Sequence, residues 1–78
     1  MASDTRVRIR QFIIDYISSN GYPPTVREIG NGVGLKSTST VHSHLQTMKL
    51  MGTIEGEIDK PRAIRVPGYE FVKKVGAE

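Results

Sequence analysis

The residues of this chain best equipped for chemistry stand together in Ser37-Thr38-Ser39-Thr40-Val41-His42-Ser43-His44. Hydroxyls and imidazoles at such density suggest catalysis, metal ligation or hydrogen bonding to a polar ligand. No nucleophile–base pair is evident. His42 and His44 are two residues apart, so on a helix they point to nearly opposite sides and cannot share one metal. No further ligands stand nearby, and the chain has no Cys. Gly30, Gly32 and Gly34 follow no strand and do not form the G-x-G-x-x-G phosphate loop. What remains is hydrogen bonding. Ser and Thr hydroxyls donate or accept at base edges, and the Thr40 methyl suits a thymine methyl. No Asp or Glu occurs between Glu28 and Glu55, so this stretch suits a polyanion.

The elements that must position this row are legible from periodicity. Ile9, Phe12, Ile13, Tyr16 and Ile17 recur along one face of a first helix, residues 4–19, with Ser3 as N-cap. Asn20-Gly21 ends it, and Tyr22-Pro23-Pro24 is a rigid connector. Thr25 caps a second helix, with Glu28 three residues on in a capping box. Gly30 inside it implies close approach of a neighbouring helix, and Gly32 and Gly34 are read as its stop and turn. Ser37 caps the third helix, residues 38–51, ended by Gly52. Val41, His44, Leu45 and Met48 share one face, while Ser39, Thr40, His42, Ser43 and Gln46 lie mostly elsewhere. Residues 53–58 and 63–66 alternate as two strands joined through 59–62. The expected fold class is mainly α with a small antiparallel β-hairpin: a winged helix-turn-helix of three helices and a two-stranded wing. The expected core pools Ile9, Phe12, Ile13, Tyr16, Ile29, Val33, Leu35, Val41, Leu45, Met48, Ile54 and Ile64.

Bulk properties agree. Seventy-eight residues make one small domain with little core to spare. Net charge is +3, from 11 basic and 8 acidic residues. Arg6, Arg8, Arg10, Arg27 and Lys36 come early, and Glu55, Glu57 and Asp59 come late. No apolar run approaches membrane-spanning length and no signal-peptide pattern precedes the first helix.

Three blocks in order carry a family resemblance: Gly21-Tyr22-Pro23-Pro24-Thr25-Val26-Arg27-Glu28-Ile29-Gly30, then Ser39-Thr40-Val41-His42-Ser43-His44-Leu45, then Lys60-Pro61-Arg62-Ala63-Ile64. Together they resemble the amino-terminal domain of the LexA repressors of the bacterial DNA-damage (SOS) response, most closely those of Gram-positive type. The resemblance spans residues 3–66. It implies a winged-helix domain that binds a palindromic operator as a dimer, with the third helix in the major groove. Carried over by position, Ser37, Ser39, Thr40, His42 and Ser43 read bases, while Ser3, Arg6, Lys60 and Arg62 meet the backbone. From their own placement, Lys36 ahead of the third helix and Arg27 at the head of the second join the phosphate set. The chain departs from the family pattern in four places. Its opening is Ser3-Asp4-Thr5-Arg6, and its third helix ends in apolar Leu50-Met51. Its wing is acidic, and nothing after Val66 resembles the self-cleaving domain, as in an excised domain or a stand-alone regulator.

The expectations are then these. Residues 1–66 form the DNA-binding domain and 67–78 a tail or linker. The partner is a double-stranded DNA operator, the protein being a weak homodimer or monomer in solution and a dimer on DNA. It is not an enzyme, and takes no cofactor, metal, membrane or small-molecule substrate. Its place is cytoplasmic, in a bacterial or phage-encoded setting. The alternative is a protein-interaction winged helix, using the acidic wing and an apolar tail of Tyr69, Phe71 and Val72.

Overall fold

A computed structural model of the chain describes residues 4–68. The elements run α1 (Asp4–Asn20), α2 (Val26–Val33), α3 (Thr38–Met51), β1 (Glu55–Gly56) and β2 (Ile64–Arg65). This is a three-helix winged fold with a two-stranded antiparallel wing. Ser3 and the tail residues Tyr69, Phe71 and Val72 lie outside the described residues.

The first helix buries Ile9, Ile13 and Ile17, one residue per turn on a single face. It ends one residue later than expected, where the Gly21 N–H donates to the Ile17 carbonyl at 2.8 Å. In α2 the capping box is complete. Thr25 Oγ1 accepts from the Glu28 N–H at 3.1 Å, and Glu28 Oε1 accepts from the Thr25 N–H at 2.9 Å. A Cβ on Gly30 would lie 3.1 Å from the Leu35 carbonyl oxygen and 3.2 Å from a Val41 methyl, so the glycine does permit close approach. Gly32 does not stop the helix. It lies inside α2, where any side chain would collide with the Phe12 ring. Gly34 alone turns the chain, in the left-handed region at φ 80°. Arg8 of α1 donates to the Val33 carbonyl at 2.8 Å, satisfying one of the last free acceptors of α2.

Ser37 caps α3 by accepting from the Thr40 N–H at 3.4 Å. The helix sends Val41, Leu45 and Met48 into the core, a spacing of four and three residues that keeps one stripe inward. Past Gly52, both the N–H and the hydroxyl of Thr53 donate to the Met48 carbonyl, at 2.9 and 3.1 Å. The wing then pairs Glu55 with Arg65 and Gly56 with Ile64. Its strands are two residues each, shorter than the alternation in 53–58 and 63–66 predicts. Gly56 bends the first strand at φ 102°, and Pro61 brings no N–H to the second side. The alternation instead reports burial. Ile54, Ile58, Ile64 and Val66 all face the helices.

The core therefore includes Ile17, Ile58 and Val66 beyond the expected set. Phe12 and Leu35 pack against it only partly buried, and Tyr16 is half-buried among the aromatic rings of the α1–α2 connector.

Candidate nucleic-acid interface

The face of α3 opposite its buried stripe is open to solvent. Ser37, Thr38, Ser39, Thr40, Ser43 and Gln46 are exposed, and His42 and His44 are half-buried. Burial of Val41 and Leu45 fixes the roll of the helix, and so decides which side chains face outward. Thr38, Ser39, His42, Ser43 and Gln46 form one wall of an open groove, with Val26 of α2 and Ile58 and Asp59 of the wing opposite. The structure thus brings Ser39, His42 and Ser43 together. It leaves Ser37 and Thr40 exposed outside this groove. Ser37 already uses its hydroxyl oxygen as the cap acceptor, which leaves its proton free to donate. Thr38 and Gln46 are groove residues the expected set omitted. Helical spacing could have found them, since they sit four residues either side of His42.

Across the groove, His42 Nε2 lies 3.1 Å from Asp59 Oδ1. Within the wing, Glu55 pairs with Arg65 across the ladder at 3.6 Å. Glu55 thus faces a cation, and Asp59 an imidazole nitrogen.

The cations expected at phosphates separate into three groups. Arg27, Lys36 and Lys60 are exposed on the α2 first turn, before the α3 cap and on the wing. Arg6 is half-buried beside Val7, Met48 and Met51, and its Nε has no hydrogen-bond partner among the described residues. Arg62 stands apart. Its guanidinium turns away from the wing tip and grips α2 in a bidentate pair, Nη1 to Glu28 Oε1 and Nη2 to Oε2, both at 3.0 Å. Nη1 also donates to the Pro23 carbonyl at 2.9 Å and the Tyr16 hydroxyl at 3.3 Å. The guanidinium carbon sits 4.6 Å from the centroid of the Tyr22 ring. To reach this cage the backbone of Arg62 takes φ 55°, a left-handed conformation uncommon outside glycine. The Arg62 guanidinium, and then the Thr25 N–H, hold the Glu28 carboxyl down at about 2, against an ordinary value of 4.5. Glu28 in turn raises Arg62 above its already high value. A guanidinium with this many partners is a structural tie between wing and helices, and sequence spacing alone gave no sign of it.

Among the described residues no cluster of His, Asp and Glu could hold a metal ion, and no helix is long and apolar enough to cross a membrane.

Residues 3–63 match the family model described as the LexA DNA binding domain. The chain is 48% identical over 64 residues to the LexA repressor of Acetivibrio thermocellus, covering 82% of this chain and 30% of that protein. It is 53% identical over 58 residues to the LexA repressor of Ligilactobacillus salivarius, covering 74% and 28%. With the LexA repressor of Clostridium novyi it shares 46% identity over 73 residues, covering 94% and 36%. The chain thus spans about a third of the length of these curated relatives.

Proposed function

Because the chain belongs to the LexA DNA-binding domain family, we propose that it is the sequence-reading module of a LexA-type transcriptional repressor. Residues 1–66 form the module and 67–78 lead on from it as a tail; Val66, the last buried residue among those described, supports that boundary. Two copies bind a palindromic operator in double-stranded DNA, one α3 per major groove, at genes of the DNA-damage response. Ser37, Ser39, Thr40, His42 and Ser43 read base edges. Ser3, Arg6, Arg27, Lys36 and Lys60 hold phosphates, with Arg27 and Lys36 acting beside the exposed N–H groups of helix starts. Arg62 is assigned instead to positioning the wing.

One observation carries this reading. The outward face of α3 is hydroxyl-rich and lacks acids, and the buried Val41–Leu45–Met48 stripe fixes its orientation. Ser and Thr are poor helix interior residues because their side chains compete for backbone groups. Their concentration here is accounted for by readout, where hydroxyls pair with base edges. The test is titration of a LexA-type palindrome and a scrambled duplex at ~50 and ~200 mM salt, where phosphate-dominated binding weakens steeply. The expected result is preference for the palindrome, lost in Ser39→Ala/His42→Ala with modest loss of non-specific affinity. Preference left intact in that double variant would refute the recognition face.

A protein-interaction module is the second reading. Leu50, 89% exposed, and the exposed Met51 at the end of α3 favour it. Absence of a shift with either duplex would support it.

A further inference from the structure

The acidic wing is the part of this molecule least suited to facing DNA, yet it touches the base-reading groove. Asp59 reaches His42 from 17 residues away in sequence, Oδ1 to Nε2 at 3.1 Å. A carboxylate only accepts, so the nitrogen facing it carries the proton. The Asp59 side chain is 87% exposed. Asp59 lines the same groove as Thr38, Ser39, Ser43 and Gln46, which leaves its second oxygen to accept from a ligand there.

The chemistry of that wall is ambiguous without Asp59. A hydroxyl rotates to donate or accept, and the Gln46 amide offers both at once. Such groups hydrogen-bond to almost any base edge. The carboxylate is the one polar lining side chain of the groove that accepts without donating. In the major groove, cytosine N4 and adenine N6 present donors, while guanine O6 and N7 and thymine O4 present acceptors. An acceptor held in place favours the first pair and repels the second.

We propose that Asp59 is a specificity-determining residue. It accepts from the exocyclic amine of a cytosine or adenine in each half-site, and His42 Nε2 is the donor that positions it. This rests on α3 being the base-reading helix. The His42 contribution then runs through the carboxylate it fixes as well as through its own ring. The arrangement gives up some affinity, because a carboxylate near phosphates is repelled, and gains discrimination in exchange.

The test measures binding to every single-base-pair variant of a LexA-type palindrome by the parent, Asp59→Ala and Asp59→Asn. In the parent, one position per half-site prefers cytosine or adenine over guanine or thymine by about 10- to 100-fold. Asp59→Ala flattens that position to within about threefold and leaves the others unchanged. Asp59→Asn, whose amide can donate, moves the preference at that position towards guanine or thymine. Nitrogen-15 spectra of the free protein give a second readout: a protonated Nε2 on His42 in the parent, and mixed tautomers in Asp59→Ala. The proposal is overturned if Asp59→Ala strengthens binding to all variants by one common factor, which is charge repulsion alone. It is also overturned if every preference survives, or if the parent spectrum already shows mixed tautomers. A parent with no preference among variants refutes the base-reading function itself, and Asp59 readout with it.

Discussion

Glu28 is where the local and long-range supports of this fold meet, and its removal separates their sizes. The carboxylate accepts the Thr25 N–H to close the capping box and receives both arms of Arg62. Glu28→Ala leaves the Thr25 hydroxyl capping the backbone N–H and loses only the reciprocal bond to the Thr25 N–H, about 1 kcal/mol. The ion pair needs more care. Its carboxyl is held at about 2 rather than 4.5, first by Arg62 and then by the Thr25 N–H already counted, so the full shift overstates the pair. The two side chains keep 34% and 38% of their surface in water, so solvent screening brings the contribution down to ~1 kcal/mol. Glu28→Ala should therefore cost ~2 kcal/mol, or on the order of 8–16 °C in Tm for a domain of this size. Glu28→Gln keeps a capping-box side chain and loses the charge, so it should cost about half as much. Thermal and urea unfolding followed by circular dichroism measure both. Arg62→Ala should lower Tm in the parent and lower it much less in the Glu28→Gln background. The sign with pH follows from the depressed carboxyl. Its contribution is fully present above about 4.5, the ordinary value, and is lost as pH falls from there towards about 2. A Glu28→Ala Tm within ~2 °C of the parent would refute the coupling, since even one lost hydrogen bond of about 1 kcal/mol is worth about 4–8 °C. So would a parent–Glu28→Gln difference that stays constant between pH 7 and pH 2.5.

Two further outcomes are expected. Lys36→Ala and Lys60→Ala should each weaken DNA binding evenly across operator variants and reduce the salt slope by about one, whereas Arg62→Ala should leave that slope unchanged; filter binding over a salt series distinguishes them. Gly34→Ala should cost ~1 kcal/mol by urea unfolding, because φ 80° strains any Cβ there although space around it is open.

What could be read from the chain, and what could not, divides by the range of the interactions. The Thr25–Glu28 box, the Ser37 cap and the left-handed Gly34 involve partners within four residues, so local rules place them. Helical spacing likewise found the buried stripe of α3 and, by subtraction, its hydroxyl face. Alternation in the wing was over-read as ladder. Ile54, Ile58, Ile64 and Val66 alternate because they seal the helices from below, which demands burial but only two paired residues per strand. Gly32 was misplaced because its reason is a ring twenty residues away, Phe12, and no local rule registers that contact. Charge misleads in the same way. By composition the wing is an acidic segment that phosphate should repel, and Arg62 is a free cation beside it. In the fold Arg62 crosses to Glu28, Glu55 answers Arg65, and Asp59 answers His42. A formal charge count therefore describes neither the cation nor the anions of this wing. Lys60 is exposed on the wing, and the nearest described donor to Asp59 is on α3. Nearby charges act at full strength only when unpaired and unscreened. If Asp59 reads bases as proposed, the wing's acidity supplies one acceptor at the groove in addition to its repulsion of phosphate.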